Sequence, residues 1–155
     1  MRRHKQQLSD DEARAVLQRG KVGILAVLGD DGYPYTIPLN YTYYNDAIYF
    51  HSALSGHKID AIQACDKVSF CVVDKDEIVP QEYTSYYRSV VAFGRAHIIE
   101  DDEEKLASLR HLGDRYNPGQ DTALDSEVAK SFTHLHMVRI DIEHLSGKQA
   151  KELIH

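Results

Sequence analysis

A strand that closes on small residues and runs into a helix with a lysine in its first turn is a natural place for an anion. The stretch Tyr49-Phe50-His51-Ser52-Ala53-Leu54-Ser55-Gly56-His57-Lys58 has that order. The hydroxyls of Ser52 and Ser55, the free amides at the helix start and the Lys58 ammonium can converge on one phosphate, and Gly56 lets the backbone approach it closely. Taken alone, the same residues also read as a plain strand-to-helix loop with His57 and Lys58 in solvent. A second stretch is marked by Pro34 and Pro38, which cannot donate to a sheet ladder and so imply an edge or an interrupted pairing. Backbone groups from Thr36 to Asn40 are then free to read the hydrogen-bonding edge of a flat heteroaromatic ring. Proline guarding an edge strand against aggregation is the other reading. A third stretch, Tyr86 to Arg95, sets Arg88 and Ser89 at the mouth of a long strand, where Arg88 can grip a phosphate with two hydrogen bonds or simply face water. Ser146-Gly147-Lys148 is either a contact with an anion or a frayed end.

These residues need elements to hold them. Ser9-Asp10-Asp11-Glu12 has capping-box spacing, and Ala13, Val16 and Leu17 follow at helical intervals up to Gly20. Lys21 to Leu28 and the residues from Tyr33 onward form a hairpin about Gly29-Asp30-Asp31-Gly32. Its second strand alternates over eleven residues, with Tyr33, Tyr35, Ile37, Leu39, Tyr41 and Tyr43 on the large apolar face. Ala47 to Ser52 is a third strand, a short helix covers about His57 to Ala64, and Val68 to Val73 is a fourth strand. Asp74 to Thr84 reads as a polar loop, and Tyr87 to Ile99 as a strand interrupted at Gly94 by a bulge or a close approach. Helices span Asp101 to Tyr116 and roughly Asp125 to Phe132, and Leu135 to Leu145 is the last strand. The sum is a mainly β chain with peripheral helices. Six strands with hairpin connections favour an antiparallel barrel over a parallel sheet. So small a barrel has little interior, so a planar cofactor would lie on its outside or between two subunits.

The 155 residues, 43% of them hydrophobic, suit one packed domain. A net charge of −6 argues against general affinity for nucleic acid or anionic membrane. No apolar run is long enough to cross a bilayer and the start Met1-Arg2-Arg3-His4-Lys5 lacks a secretory segment, which points to the cytoplasm. Cys65 and Cys71 lack metal-type spacing and read as reduced and structural.

Taken together, Ile48 to Ala53 with Gly56 and Lys58, then Tyr87-Arg88-Ser89-Val90 with Phe93-Gly94-Arg95, then Gly147-Lys148, resemble the 5-nitroimidazole-resistance branch of the pyridoxamine-phosphate-oxidase-like flavoproteins, in the same order over residues 9 to 150. The resemblance implies a split β-barrel that forms a homodimer and holds FMN at the subunit interface. Thr36, Ile37, Pro38, Leu39, Asn40 and Tyr41 would flank the flavin ring; Phe50, His51, Ser52 and Ala53 would line the path to the phosphate, which Lys58 would bind. Arg88, Ser89 and Val90 would complete the pocket from the same chain or its partner, and Lys148 matches the family's terminal Gly-Lys. His51 matches a histidine beside the flavin; it would orient a substrate or move a proton, or only pack against the cofactor. The chain departs from the vitamin B6 oxidase itself in having no tryptophan and no arginine- and histidine-containing terminal motif, so that oxidation is not expected.

The function this implies is an oxidoreductase passing electrons from a reduced nicotinamide through FMN to a small acceptor such as a nitroaromatic. No GxGxxG fingerprint is present, so a nicotinamide would visit transiently. A flavin-binding module without turnover is one alternative. The other is haem or metal on the histidines, with His134-Leu135-His136 setting two imidazoles on one strand face, though no acidic or cysteine partner is spaced to complete a metal site.

Overall fold

A computed structural model describes residues 2–154. Helix α1 (Asp10–Arg19) opens on the capping box: Ser9 N–H donates to Glu12 Oε2 at 2.8 Å and Glu12 N–H donates back to Ser9 Oγ at 3.3 Å. Its inner stripe, Ala13, Val16 and Leu17, is buried. Strands β1 (Val22–Leu28), β2 (Pro34–Asn40), β3 (Thr42–Tyr44) and β4 (Ala47–Ala53) follow, then α2 (His57–Ala64), β5 (Lys67–Val79), β6 (Thr84–Ile98), α3 (Asp102–Tyr116), α4 (Asp121–Ser131) and β7 (Leu135–Gln149).

All pairings are antiparallel, in the order β2-β1-β5-β6-β7-β4-β3. The two ends of this sheet, β2 and β3, are separated in the chain by Tyr41 alone. The sheet therefore curls until its edges are joined covalently through one residue, and among the described residues no ladder between β2 and β4 closes it. This is a split barrel of seven strands rather than six. The strand expected over Tyr33 to Tyr43 divides at Tyr41 because its halves pair with different neighbours. Tyr41 is fully buried, and its hydroxyl donates to the Leu17 carbonyl at 2.7 Å.

Three further differences have physical causes. Asp74 to Thr84 is a hairpin rather than a loop: β5 and β6 pair out to Val79↔Thr84, with a bulge between Val73 and Lys75. Neither face of this arm is buried, so its sequence carries no apolar alternation. The last strand continues past Leu145 through Ser146, Gly147 and Lys148 because β6 offers partners that far, and Leu8 N–H donates to the Gly147 carbonyl at 3.0 Å over it. Helix α4 begins four residues before Asp125, at Asp121. The interruption at Gly94 is present as a register shift, where a Cβ would lie 2.1 Å from the Asp141 carbonyl oxygen.

The core is in two parts. Inside the barrel, Leu25, Ile48, Phe50, Phe70, Val72, Val90, Val138 and Ile140 pack with Val16 and Leu17 of α1 and Ile59 and Ile62 of α2. Burying each such side chain contributes about 1.5–3 kcal/mol. Outside it, Ala47, Tyr49 and Met137 lie under Leu109, Leu112 and Val128 of α3 and α4. Strand β4 is thus covered on both faces, which is why it reads as an apolar run.

Candidate functional site

The opening of the barrel is built by two strands that part. β3 and β4 pair as Thr42↔Tyr49, Tyr43↔Ile48 and Tyr44↔Ala47. Carried back across Tyr41, that register would set Asn40 opposite His51 and Pro38 opposite Ala53. Instead β2 turns away to pair with β1, as Pro38↔Ile24 and Asn40↔Val22. Proline has no N–H, so Pro34 and Pro38 take positions whose backbone groups point away from β1; Thr36 and Asn40, in the same phase, leave their own N–H and C=O free toward the split. The Thr36, Pro38 and Asn40 side chains are exposed, while Ile37 and Leu39 pack partly against the core. The sequence signal of the prolines is therefore an edge, and that edge borders the opening.

Across the split, Phe50 and Ser52 are buried toward the barrel interior, and His51 and Ala53 face outward. His51 keeps much of its surface open, yet its ring forms part of a cavity wall. That partial loss of water, and then the Lys58 ammonium, pull it below the usual imidazole range. After β4 the chain turns at Gly56, whose φ of 138° is reached almost only by glycine, and α2 begins. Lys58, in its first turn, is half-buried, with Nζ 5.7 Å from the centre of the Phe50 ring. It forms no ion pair among the described residues, and burial lowers its pKa. His57 ties this helix start to the β1–β2 turn, edge-on to Tyr35 at 4.7 Å and with Nδ1 3.7 Å from Asp30 Oδ2. An ammonium that has lost water without gaining a carboxylate is unfavourable by itself and receptive to an anion.

The structure thus brings Thr36 to Asn40, His51 to Ala53 and Lys58 around one opening. Tyr41 is committed elsewhere, its N–H donating to Tyr116 Oη at 3.2 Å. Arg88, Ser89, Val90 and Lys148 lie apart. Arg88 is held by Asp74 at 3.3 Å and by Gln149 Oε1 at 3.1 Å, and Val90 is fully buried in the core. Asp74 also takes both arms of Arg19 at 2.6 Å; these guanidiniums hold its carboxyl below the usual range. Ser89 pairs with Lys148, whose Nζ lies 5.4 Å from the Tyr87 ring centre. Ser89 and Lys148 pair with one another eleven residues along β7 from Met137, the partner of His51, which is about 36 Å of strand at roughly 3.3 Å per residue. Within one chain the Ser89–Lys148 pair and His51 thus stand at opposite ends of β7.

Sequence reasoning missed the cavity beside the split. About 820 Å³ lies between Asn40 and His51 on the barrel side and Leu112, Tyr116, Leu124 and Val128 on α3 and α4. Leu109, Leu112 and Tyr116 recur at helical spacing in the sequence, but a core-facing stripe and a cavity wall have the same pattern. Among the described residues no group of three or more His, Cys, Asp or Glu is gathered for a metal, and no helix is long and apolar enough to cross a membrane.

Residues 9–149 match the family model described as pyridoxamine 5'-phosphate oxidase. Among solved structures, a FAD-binding protein from Mesorhizobium loti is 30% identical, covers 93% of this chain and 96% of its own, and has a TM-score of 0.67. A protein proposed to confer 5-nitroimidazole antibiotic resistance in Bacteroides thetaiotaomicron is 23% identical over 92% of this chain and 86% of its own, with a TM-score of 0.77. A flavocytochrome from Azotobacter vinelandii is 23% identical over 97% of this chain and 72% of its own, with a TM-score of 0.83. No curated protein matches the chain in sequence.

Proposed function

The chain belongs to the pyridoxamine 5'-phosphate oxidase family, and from that premise we propose that it is a flavoprotein that holds FMN in the split between β2 and β4 and passes electrons to a small acceptor of the nitroaromatic kind. The observation that carries this reading is the half-buried Lys58 ammonium, without a counter-ion among the described residues, at the end of a backbone edge left free by two prolines. One end of the site is suited to a phosphate and the other to the polar rim of a flat ring. The FAD-binding relative supports the choice of a flavin.

Lys58 and the first amides of α2 would hold the phosphate, and Thr36 and Asn40 would meet the ring edge through their free N–H and C=O groups. When bound, FMN would supply a two-electron carrier able to accept hydride from a reduced nicotinamide. His51 stands where it can orient an acceptor or hold a proton. Its lowered pKa keeps it mostly neutral at pH 7, with one ring nitrogen donating and the other accepting. A phosphate dianion beside Lys58 would offset that ammonium's field and raise the imidazole toward a more useful range.

The active unit in this reading is a homodimer. The outer face of β1, β5 and β6 exposes Val22, Ile24, Leu28, Val73 and Phe93, an apolar sheet surface continuous with Thr36, Pro38 and Asn40 through the pairings of β1 and β2. A second copy on this face would cover it and bring toward the split its own Ser89 and Lys148, which within one chain lie at the far end of β7 from His51. The test is an absorption spectrum of the purified protein before and after FMN is added, with size-exclusion chromatography. A yellow dimer with both flavin bands is the expected result; a colourless protein that ignores FMN overturns the reading, and a Soret band replaces it with haem.

A further inference from the structure

The cavity under α3 and α4 is separate from the split except that Asn40 and His51 belong to both. Its walls are held in place. Arg115 donates to the carbonyl of Gln18 at 2.6 Å and to that of Gly20, and Tyr116 donates to that of Lys21, which pins the end of α3 to the barrel. Helix α4 closes on α3 at Gly113, where a Cβ would stand 2.3 Å from Leu124 Cδ1. At about 820 Å³ the space is of the size that takes a small organic molecule.

Its chemistry is one-sided. Leu109, Leu112, Leu124 and Val128 make the body of the wall apolar, and Asn40 and Gln120 add neutral hydrogen-bonding groups. The carboxylate in the wall is Glu127, whose Oε1 accepts a hydrogen bond from Ser131 Oγ at 3.1 Å. Among the described residues no lysine or arginine lines the space. An anion entering it would give up water beside a carboxylate and gain no cation, whereas a neutral molecule loses little and a cation gains Glu127. Lys58 is not in this wall and stands in the first turn of α2, after β4. The two halves of the region therefore sort ligands by charge.

We propose that this cavity is the binding place of the flavin's small-molecule partner, and that it takes apolar aromatic molecules bearing a neutral or cationic nitrogen group while turning away anions. This rests on the flavoprotein reading for its role, but the selectivity is a property of the cavity alone. The test is calorimetric titration of the FMN-loaded and flavin-stripped protein with three molecules of one shape and three charges: benzamidine, benzamide and benzoate. Benzamidine and benzamide should bind both forms, with benzoate at least tenfold weaker than either. Glu127→Gln should weaken benzamidine about fivefold and leave benzamide unchanged. Leu124→Trp, which fills the space, should weaken both without lowering flavin content. Benzoate binding as well as benzamidine, uptake of FMN with no probe bound to either form, or displacement of the probes by FMN from the stripped protein would each overturn the proposal. Charge-selective probe binding by a protein that takes up no FMN would instead keep the cavity and remove the flavin.

Discussion

Replacing Lys58 by methionine separates a binding lysine from a structural one. Two unit charges about 4 Å apart in an environment of effective dielectric near 20 attract by roughly 4 kcal/mol. Lys58 is half-buried rather than enclosed, so solvent screening leaves on the order of 2 kcal/mol of that attraction to a phosphate. This corresponds to about a 30-fold rise in the FMN dissociation constant. Riboflavin has the same ring and no phosphate, so its affinity should change by less than about twofold. The flavin-free protein should not suffer, because the substitution removes a desolvated ammonium that forms no ion pair among the described residues while keeping an aliphatic chain over Phe50. Fluorescence titration of wild type and Lys58→Met with FMN and with riboflavin, together with thermal melts of the flavin-free proteins, gives all the quantities. Equal weakening of both ligands, or a melting temperature several degrees lower, would show that Lys58 supports the fold rather than the phosphate.

In the flavin-free protein the His51 ring should titrate below 6.5, by NMR, and move upward both in Lys58→Met and on FMN binding; no movement in either case would remove Lys58 as a cause. His51→Gln should retain flavin and lose most of the reductase rate, and an unchanged rate would leave His51 a packing residue. The depressed pKa values of His51 and His111 contribute stability present above about pH 6.5 and lost as pH falls through their lower folded values. Melting temperatures from pH 5 to 7 should therefore rise less steeply when both are glutamine, and an identical slope refutes their contribution. Phe93→Glu sets a charge in the exposed apolar sheet face and should yield a monomer that takes up little FMN on size-exclusion chromatography; an intact yellow dimer would place the interface elsewhere. Gly94→Ala forces a methyl group against the Asp141 carbonyl and should cost about 1–3 kcal/mol, read as a lower denaturant midpoint; no loss would mean that the bulge relaxes freely.

Local chemistry made much of this legible in advance. The capping box of α1, the turn after β1, the two prolines of β2 and the strand-loop-helix order around Gly56 each depend on neighbouring residues, and each stands where its pattern indicates. The same holds for the antiparallel, barrel-like class, which follows from short connections and alternating strands. Where β5 and β6 extend as an arm beyond the core, no burial imposes a pattern, and the sequence there resembles a loop.

Other features depended on partners far apart in the chain. That β2 and β3 are two strands rather than one is decided by β1 and β4 competing for them, which leaves Tyr41 as the joint. That Arg88 has a carboxylate, while Lys58 has none among the described residues, is decided by the packed sheet, which sets Asp74, fourteen residues before Arg88 in the chain, beside it at a bulge. Residue types and spacing determined which groups are able to hold a phosphate. Only the folded chain decided which of them remained free to do so, because a charge is available to a ligand when no nearer partner has taken it, and nearness is a property of the packed sheet.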